Sequence, residues 1–183
     1  MSASTIMSSN DAHKASDISL RNHLDPSQVN CLNEAAEHPL KSILSKDEPA
    51  ADAYLESDAD AQLLINVYFN QTTRVRSMVI HTKEPNLSHA PKSIKLFINK
   101  HAIGFEDVEA GEEQTLELSE DDVSQGKPIA LHFVKFKSVN SLHLFVESNQ
   151  GEGEEEATRI DRIDFFGGLN ECVSISPPHS LFL

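Results

Sequence analysis

Cysteine is scarce in this chain of 183 residues, which contains only Cys31 and Cys172. A disulfide scaffold needs more cysteines, and neither residue belongs to a CxxC pair of the kind that serves redox chemistry or structural zinc. Two free thiols in a reducing compartment are therefore the default expectation. The sequence alone leaves open whether a single bridge joins the two residues.

Long apolar runs and basic side chains are also in short supply. No run of about 18 apolar residues occurs, so no membrane-spanning helix is expected. The N-terminal stretch MSASTIMSSNDAHKAS lacks the basic start and the apolar centre of a secretory signal. Fifteen Lys and Arg residues stand against 29 Asp and Glu residues, a formal net charge of -14. Because such a surface repels phosphate backbones and anionic lipid, we expect neither nucleic-acid nor membrane binding.

Familiar catalytic motifs are missing from the sequence. It contains no GxSxG, no HExxH and no Walker-type Gly-Lys-Ser/Thr loop. The stretch GEGEEEA lacks the third glycine of a dinucleotide loop and would place carboxylates where a pyrophosphate binds. No two of the nine histidines have i, i+2 or i, i+4 spacing. We therefore expect a protein that is not an enzyme and holds no cofactor or metal. A metal-dependent enzyme built from scattered His and acidic residues is a weaker alternative.

Alternating apolar residues in the middle of the chain predict β-strands. In QLLINVYFN, every second residue from Leu63 to Phe69 is apolar and shares one face, and SIKLFIN, TLEL and SLHLFVES follow the same pattern. In ALHFVKF the alternation breaks at Phe133, which predicts a strand covered on both faces. In RIDRIDFFG the phase breaks between Ile160 and Ile163, which predicts a bulge.

Turn-forming segments separate these strands and favour an antiparallel sandwich or barrel over a βαβ fold. The best helical stretch is DPSQVNCLNEA, in which Asp25 can cap a helix and Pro26 takes its first position. Ser119 and Asp122 predict a second, capped helical turn. The expected fold class is therefore all-β, with short helical turns.

Two acidic segments are candidate cation sites. LESDADAQ begins like a calcium loop at Asp58, but it lacks the glycine and the closing glutamate of that loop, so we favour a strand-entry turn. GEGEEEA carries four glutamates beside two glycines, which oppose the preorganised geometry that an ion needs, so we expect a flexible, solvated hairpin loop. These glutamates are Glu152, Glu154, Glu155 and Glu156.

Five segments taken in order resemble the PITH domain, a family named for proteasome interaction and for its occurrence in a thioredoxin-like protein. They are CLNEAAEHPL, LESDADAQLLINVYFNQ, APKSIKLFINK, FEDVEAGEEQTLELSEDDV and LHFVKFKSVNSLHLFVESNQGEGEEEATRIDRIDFFG. The resemblance spans Leu20 to Gly168. Its most specific parts are Cys31–Glu34, Leu55–Ile65, Phe69–Gln71 and Phe145–Gly167.

The resemblance implies a jelly-roll β-sandwich similar to galactose-binding-like domains. It also implies a non-catalytic domain that docks on the regulatory particle of the 26S proteasome, in the cytoplasm and nucleus. In the thioredoxin-like member, an N-terminal thioredoxin domain brings a Cys-Gly-Pro-Cys type motif. This chain lacks that motif, so disulfide reductase activity is not expected of it. The chain is either a stand-alone PITH protein or a fragment of a longer one.

The Ser-rich composition of residues 1–19 predicts a disordered lead, the resemblance covers the PITH domain (residues 20–168), and residues 169–183 form a C-terminal tail. We expect a monomer. The tail either packs back on the sandwich or forms an exposed docking peptide. It is the preferred contact, because apolar ends bury area whereas exposed carboxylates add little net affinity. The candidate contact residues are Pro177, Pro178, His179, Leu181, Phe182 and Leu183 in the tail, together with Glu152, Glu154, Glu155 and Glu156.

Two alternatives to proteasome docking stay open. One is a carbohydrate-binding or small-ligand-binding jelly roll, which rests on analogy of fold alone. It ranks lower because sugar sites use aromatic platforms, and this chain has no Trp and only Tyr54 and Tyr68 as tyrosines. The other is a regulatory protein whose partner is unrelated to the proteasome.

Overall fold

The computed structural model describes residues 16–44, 49–109 and 111–170, and within them most of the regular structure is strand. The strands are β1 (Ile18–Ser19), β2 (Asn30–Leu32), β3 (Leu55–Glu56), β4 (Leu63–His81), β5 (Pro91–Ile98), β6 (Gln114–Glu117), β7 (Ile129–Ala130), β8 (Val139–Asn149), β9 (Arg159–Ile160) and β10 (Arg162–Leu169). The helices are α1 (Glu120–Gln125) and four single 3-10 turns at Arg21–His23, Leu40–Ser42, Leu87–His89 and Phe105–Asp107. Two residues of the predicted lead thus form β1. In the described part of the chain, no helix has the length and apolar character needed to cross a membrane.

The longest strand, β4, joins two groups of antiparallel strands. Its first half pairs with β8 and β2, and its second half pairs with β10 and β7. Beyond these, β5 and β6 extend the first group past β8, while β1 extends the second group past β10. A single large apolar core contains residues from both groups. The predicted all-β sandwich is therefore confirmed.

Alternate residues of β4 fill this core. Leu63, Ile65 and Val67 are fully buried, as are Leu142 and Leu144 of the neighbouring β8. The predicted burial of these alternate residues is confirmed, but burial on one face only is wrong. The opposite face of the same strands is covered by the connection between β5 and β6. That second, smaller cluster consists of Leu64, Phe97, Ile103, Val108 and Phe145.

The helix predicted after Asp25 is wrong, although the cap itself forms. The Asp25 carboxylate accepts the Ser27 N–H at 3.0 Å, and the Val29 N–H bonds to the Asp25 carbonyl at 3.2 Å. The chain makes this single turn and then enters β2, where Cys31 lies opposite Ile65 of β4. A short helix is marginal by itself, so pairing with β4 and burial of the Cys31 side chain override it.

The capped turn at Ser119 is confirmed. The Ser119 hydroxyl accepts the Asp122 N–H at 3.2 Å, and the Asp122 carboxylate accepts the Ser119 N–H at 3.0 Å. These reciprocal bonds start α1. The helix ends at Gly126, whose φ of 59° is the left-handed conformation that glycine adopts most easily.

The strand predicted over ALHFVKF is wrong beyond its first residue. Only Ala130 belongs to β7, and residues 132–136 form a turn in which the Phe136 N–H bonds to the His132 carbonyl at 3.2 Å. Phe136 is fully buried, whereas Phe133 and Val134 face solvent. The expected coverage of both faces is therefore also wrong.

The phase break in RIDRIDFFG has a different cause from the predicted bulge. At Asp161 the chain leaves β9, which pairs with β3, and enters β10, which pairs with β4. The bulge lies later, opposite Phe166 and Gly167, and makes Arg76 the extra residue of β4. A Cβ at Gly167 would lie 1.8 Å from the Arg74 carbonyl oxygen, so this close approach requires glycine.

Candidate partner-binding surface

The four predicted contact glutamates lie in the segment Glu152–Glu156, which we call the acidic turn. It is not a hairpin loop, because β8 lies between β4 and β5 whereas β9 pairs with β3. The Glu154 N–H bonds to the Gly151 carbonyl at 2.9 Å, and Gly153 has a left-handed φ of 95°. The acidic turn is therefore a connection from the larger sheet to the small β3–β9 sheet.

Two of the four carboxylates contact cationic or hydroxyl groups of the same chain. Lys92 Nζ lies 2.6 Å from Glu152, and this hydrogen bond raises the pKa of Lys92 and lowers that of Glu152. Glu155 accepts the Ser88 hydroxyl at 3.0 Å and lies 3.3 Å from His89 Nε2. Glu154 and Glu156 are exposed, and the described residues provide them with no ion pair. Only these last two therefore present an unpaired charge to a partner.

The other acidic segment is a strand-entry turn, as predicted. The Asp60 carboxylate accepts the Gln62 N–H at 2.9 Å and the Asn33 side-chain amide at 2.9 Å. The Ser57 hydroxyl accepts the Thr158 N–H at 2.8 Å. These oxygens thus bind protein donors and hold the entrance to β4.

The predicted tail contacts lie outside the described residues, as does Cys172. This applies to Pro177, Pro178, His179, Leu181, Phe182 and Leu183. Their role in binding stays a prediction.

The largest contrast with the sequence prediction is an exposed pair of apolar side chains, which we call the Phe133–Val134 turn. Phe133 is 48% exposed and Val134 is 73% exposed. The sequence indicated this feature through the break in alternation at Phe133, but such a break does not distinguish an exposed turn from a strand buried on both faces. The structure shows an exposed turn.

The Phe133–Val134 turn is held firmly on both sides. Leu131 donates its N–H to the Arg76 carbonyl at 2.8 Å, and the Val75 N–H bonds to the Phe136 carbonyl at 2.9 Å. The Arg76 guanidinium lies 4.9 Å from the centre of the Phe133 ring and 3.1 Å from Asp17. Arg76 is the extra residue of the β4 bulge. The Arg76 guanidinium and the Phe133 ring make a cation–π contact, which holds the ring in place.

A polar cleft of about 490 Å³ lies beside β10. Its two buried carboxylates are satisfied by neighbouring cations. Arg159 binds Asp161 through two nitrogens, at 2.8 and 3.1 Å, and Arg162 Nε bonds to Asp164 at 2.7 Å. Burial acts to raise the pKa of Asp161, but its bonds from Arg159 and the Lys83 N–H lower it overall.

The same guanidinium anchors the segment that precedes β3. Arg159 lies 3.7 Å from the centre of the Tyr54 ring, and Tyr54 stacks on His38 with ring centres 3.8 Å apart. This stack of side chains connects the segment between β2 and β4 to strand β9. The charged residues of the cleft therefore have a structural role that accounts for their burial.

A second pocket of about 310 Å³ is lined by polar groups around Tyr68, including the cationic side chain of Lys100. Several of these groups already bond within the protein. Asn99 donates to the Ser138 carbonyl at 3.0 Å and accepts the Asn140 N–H at 2.8 Å, and the Tyr68 hydroxyl bonds to the His101 carbonyl at 3.3 Å. The Asn99 amide and the Tyr68 hydroxyl are thus already engaged within the protein.

The described thiol is poorly placed for chemistry. Cys31 is buried in β2, and this burial raises the pKa of its thiol far above the usual value. Among the described residues, no three His, Cys, Asp or Glu side chains cluster in a way that could hold a metal ion.

Comparison with known proteins identifies relatives over most of the chain. Thioredoxin-like protein 1 of Schizosaccharomyces pombe is 40% identical over 154 residues, which is 81% of this chain and 51% of that relative. PITH domain-containing protein CG6153 of Drosophila melanogaster is 32% identical over 174 residues, 88% of this chain and 79% of that relative. The chain thus spans about half of the first relative and most of the second.

Solved structures with a similar fold are much more distant in sequence. The family 32 CBM from C. perfringens NanJ, in complex with galactose, has a TM-score of 0.60 at 6% identity, covering 82% of this chain and 98% of its own. The C-terminal domain of a chitobiase from Bacteroides fragilis has a TM-score of 0.58 at 10% identity, covering 84% and 100%. At these identities the likeness shows the fold alone. The PITH domain model, in contrast, matches residues 10–174, and the chain belongs to the PITH domain family.

Proposed function

We propose that this domain is a non-catalytic interaction module that docks, as a monomer, on the regulatory particle of the 26S proteasome in the cytoplasm and nucleus. Family membership supports the proteasome as the partner, because the family's name refers to this interaction. A relative that carries the name Thioredoxin-like protein 1 shares the domain. The proposal concerns the PITH domain alone, since the chain spans only 51% of that relative.

The structural observation that carries the proposal is the Phe133–Val134 turn. Protein interfaces depend on a few large apolar side chains that are exposed in the free protein and enter a pocket of the partner. Phe133 and Val134 are adjacent, exposed and held on a rigid support. An aromatic anchor of this kind is a typical feature of a docking surface.

The pairing of the polar groups supports a non-catalytic role. Catalytic carboxylates and thiols are usually left accessible and poised to react. Here the Asp161 and Asp164 carboxylates bind guanidinium groups, and burial raises the pKa of the Cys31 thiol. These groups stabilise the fold instead.

A direct binding measurement tests the proposal. The purified chain, immobilised by a tag, is incubated with purified intact 26S proteasome at about physiological ionic strength, and retained peptidase activity is measured. A carbohydrate-binding sandwich domain on the same resin serves as the control for non-specific retention. We expect clear enrichment over that control. Retention equal to the control, at every salt concentration tested, would refute proteasome docking.

A carbohydrate-binding function is the alternative that the fold neighbours raise, since one of them was solved with galactose. The second pocket, around Tyr68, is where this alternative would apply, because it combines an aromatic ring with amide side chains. Its amides are already bonded within the protein, which argues against a sugar there. Calorimetric titration with galactose decides the point: heat of binding at millimolar sugar would favour the alternative.

A further inference from the structure

We propose that the Phe133–Val134 turn is the anchor of the docking surface and that it enters an apolar pocket bordered by carboxylates on the partner protein. This inference rests on the proposed docking function and adds the contact residues and the chemistry of the partner. It is independent of the acidic turn and of the C-terminal tail.

The first reason is the distribution of exposed apolar surface. Among the described residues, four large apolar side chains are exposed: Ile18, Leu32, Phe133 and Val134. Only the last two are adjacent in the chain, and Val134 is the most exposed of the four, at 73%. Leu32 and Ile18 each have no exposed large apolar neighbour in the chain, and single exposed apolar residues are normal on protein surfaces. The turn is therefore the one place in the described part of the chain where two consecutive residues present such side chains.

The second reason is preorganisation. The His132 N–H bonds to the Gln114 side chain at 2.9 Å, and Lys135 Nζ bonds to the Glu113 carbonyl at 2.6 Å. Together with the bonds to β4, these contacts fix the turn before any partner arrives. A rigid anchor loses little conformational entropy on binding, so more of the buried apolar area contributes to affinity.

The third reason is a local reversal of charge. The whole chain has a formal net charge of -14, yet no acidic residue occurs between Asp122 and Glu147. Within this span His132, Lys135 and Lys137 flank the turn and are exposed. Glu113 lies 3.9 Å from Lys135 Nζ, whereas the described residues provide no ion pair for Lys137. Around the turn, the pairs Arg76–Asp17 and Lys135–Glu113 leave Lys137 as the excess positive charge, which a carboxylate of the partner complements.

The charge of the remaining surface makes a second copy of this chain a poor occupant. Two molecules that each carry a charge of -14 repel one another at the distances over which proteins meet. A partner with carboxylates only at the rim of an apolar pocket avoids this repulsion, because its acidic groups lie against the basic residues of the turn. This argument favours a different protein as the occupant.

The test compares variants of the full chain for affinity to purified 26S proteasome. The double substitution Phe133→Ser with Val134→Ser removes the anchor, and we expect it to weaken binding by at least about tenfold. Lys137→Glu should weaken binding severalfold and reduce its salt dependence. Leu32→Ser is the matched control, since it removes an exposed apolar side chain elsewhere and should change affinity by less than about twofold. Thermal unfolding of each variant confirms that the fold is retained.

The outcomes separate this inference from the proposed function. If the unmodified chain binds and the double variant binds equally well, the anchor is wrong and proteasome docking stands. If the unmodified chain does not bind, both proposals fall. Light scattering adds a third outcome: a dimer that becomes a monomer on substitution of the turn would show that a second copy occupies it, and this too would overturn the inference.

Discussion

A buried histidine makes the stability of this domain sensitive to mild acid. His143 lies in the middle of β8 with no exposed surface. Asn66 donates its amide to Asn30 at 3.0 Å, so its oxygen accepts from His143 Nδ1 at 2.7 Å. Nε2 lies 3.0 Å from the Ser141 hydroxyl and 3.2 Å from the Lys100 carbonyl oxygen. Burial favours the neutral form of the ring, because a charged imidazolium would lose its hydration there.

The magnitude follows from the pKa. Burial lowers the pKa of His143 from 6.5 to about 4, although the hydrogen bond to the Lys100 carbonyl acts to raise it. In the unfolded chain the residue titrates near its ordinary value. At a pH between the folded-state and unfolded-state pKa values, His143 is therefore protonated in the unfolded state and neutral in the folded state. Stability therefore falls as the pH drops below about 6.5 and levels off below about 4, with a total loss of about 3 kcal/mol.

Urea unfolding of the wild type and of His143→Gln at about pH 7 and pH 5.5 measures this effect. Glutamine keeps a donor for Asn66 but has no titratable group. Since all other ionisable groups are shared, we expect the free energy of unfolding of the wild type to fall by about 1 kcal/mol more than that of the variant. An equal fall in both proteins would refute the assignment of acid sensitivity to His143.

Three further predictions concern other parts of the chain. Gly167→Ala should lower the free energy of unfolding by at least about 2 kcal/mol, because the new Cβ would clash with the Arg74 carbonyl. Gly168→Ala is the control, since a Cβ there has no atom within 4 Å. Equal thermal unfolding of the two variants would contradict the argument. In a Cys172→Ser background, Cys31 should react with a thiol reagent only on unfolding, since burial raises its pKa; rapid labelling of the native protein would disprove this. Deleting residues 176–183 should weaken proteasome binding more than replacing the four glutamates with glutamine, and the reverse order, measured on the same resin, would count against the tail.

Local periodicity was enough to predict the core strands. Leu63, Ile65 and Val67 alternate with their neighbours, and alternation reports burial on one side of a strand wherever the strand lies in the sheet. The capping box at Ser119 was predictable for the same reason, because its partner Asp122 lies only three residues away. Features that depend on neighbours in sequence could thus be derived without a structure.

Features that depend on distant residues could not. The stretch after Asp25 has good local signals for a helix, but its pairing with β4 depends on residues more than thirty positions away, such as Ile65 opposite Cys31. Likewise, Leu64 was expected to face away from the core, and only the connection between β5 and β6 buries it. The acidic turn looked solvated because Lys92, which binds Glu152, lies 60 residues earlier in the chain.

The candidate surface shows why a binding site is harder to predict than a core. Apolar residues that break a strand pattern have two opposite structural interpretations. They belong either to a strand that is covered on both faces or to a turn that exposes them to a partner. For Phe133 the structure shows an exposed ring that packs against the Arg76 guanidinium, and Arg76 lies at the β4 bulge opposite Gly167. The sequence signal that distinguishes the two interpretations is the pair of lysines beside Phe133. Lys135 and Lys137 would lose their hydration in a strand covered on both faces, so their presence favours an exposed turn.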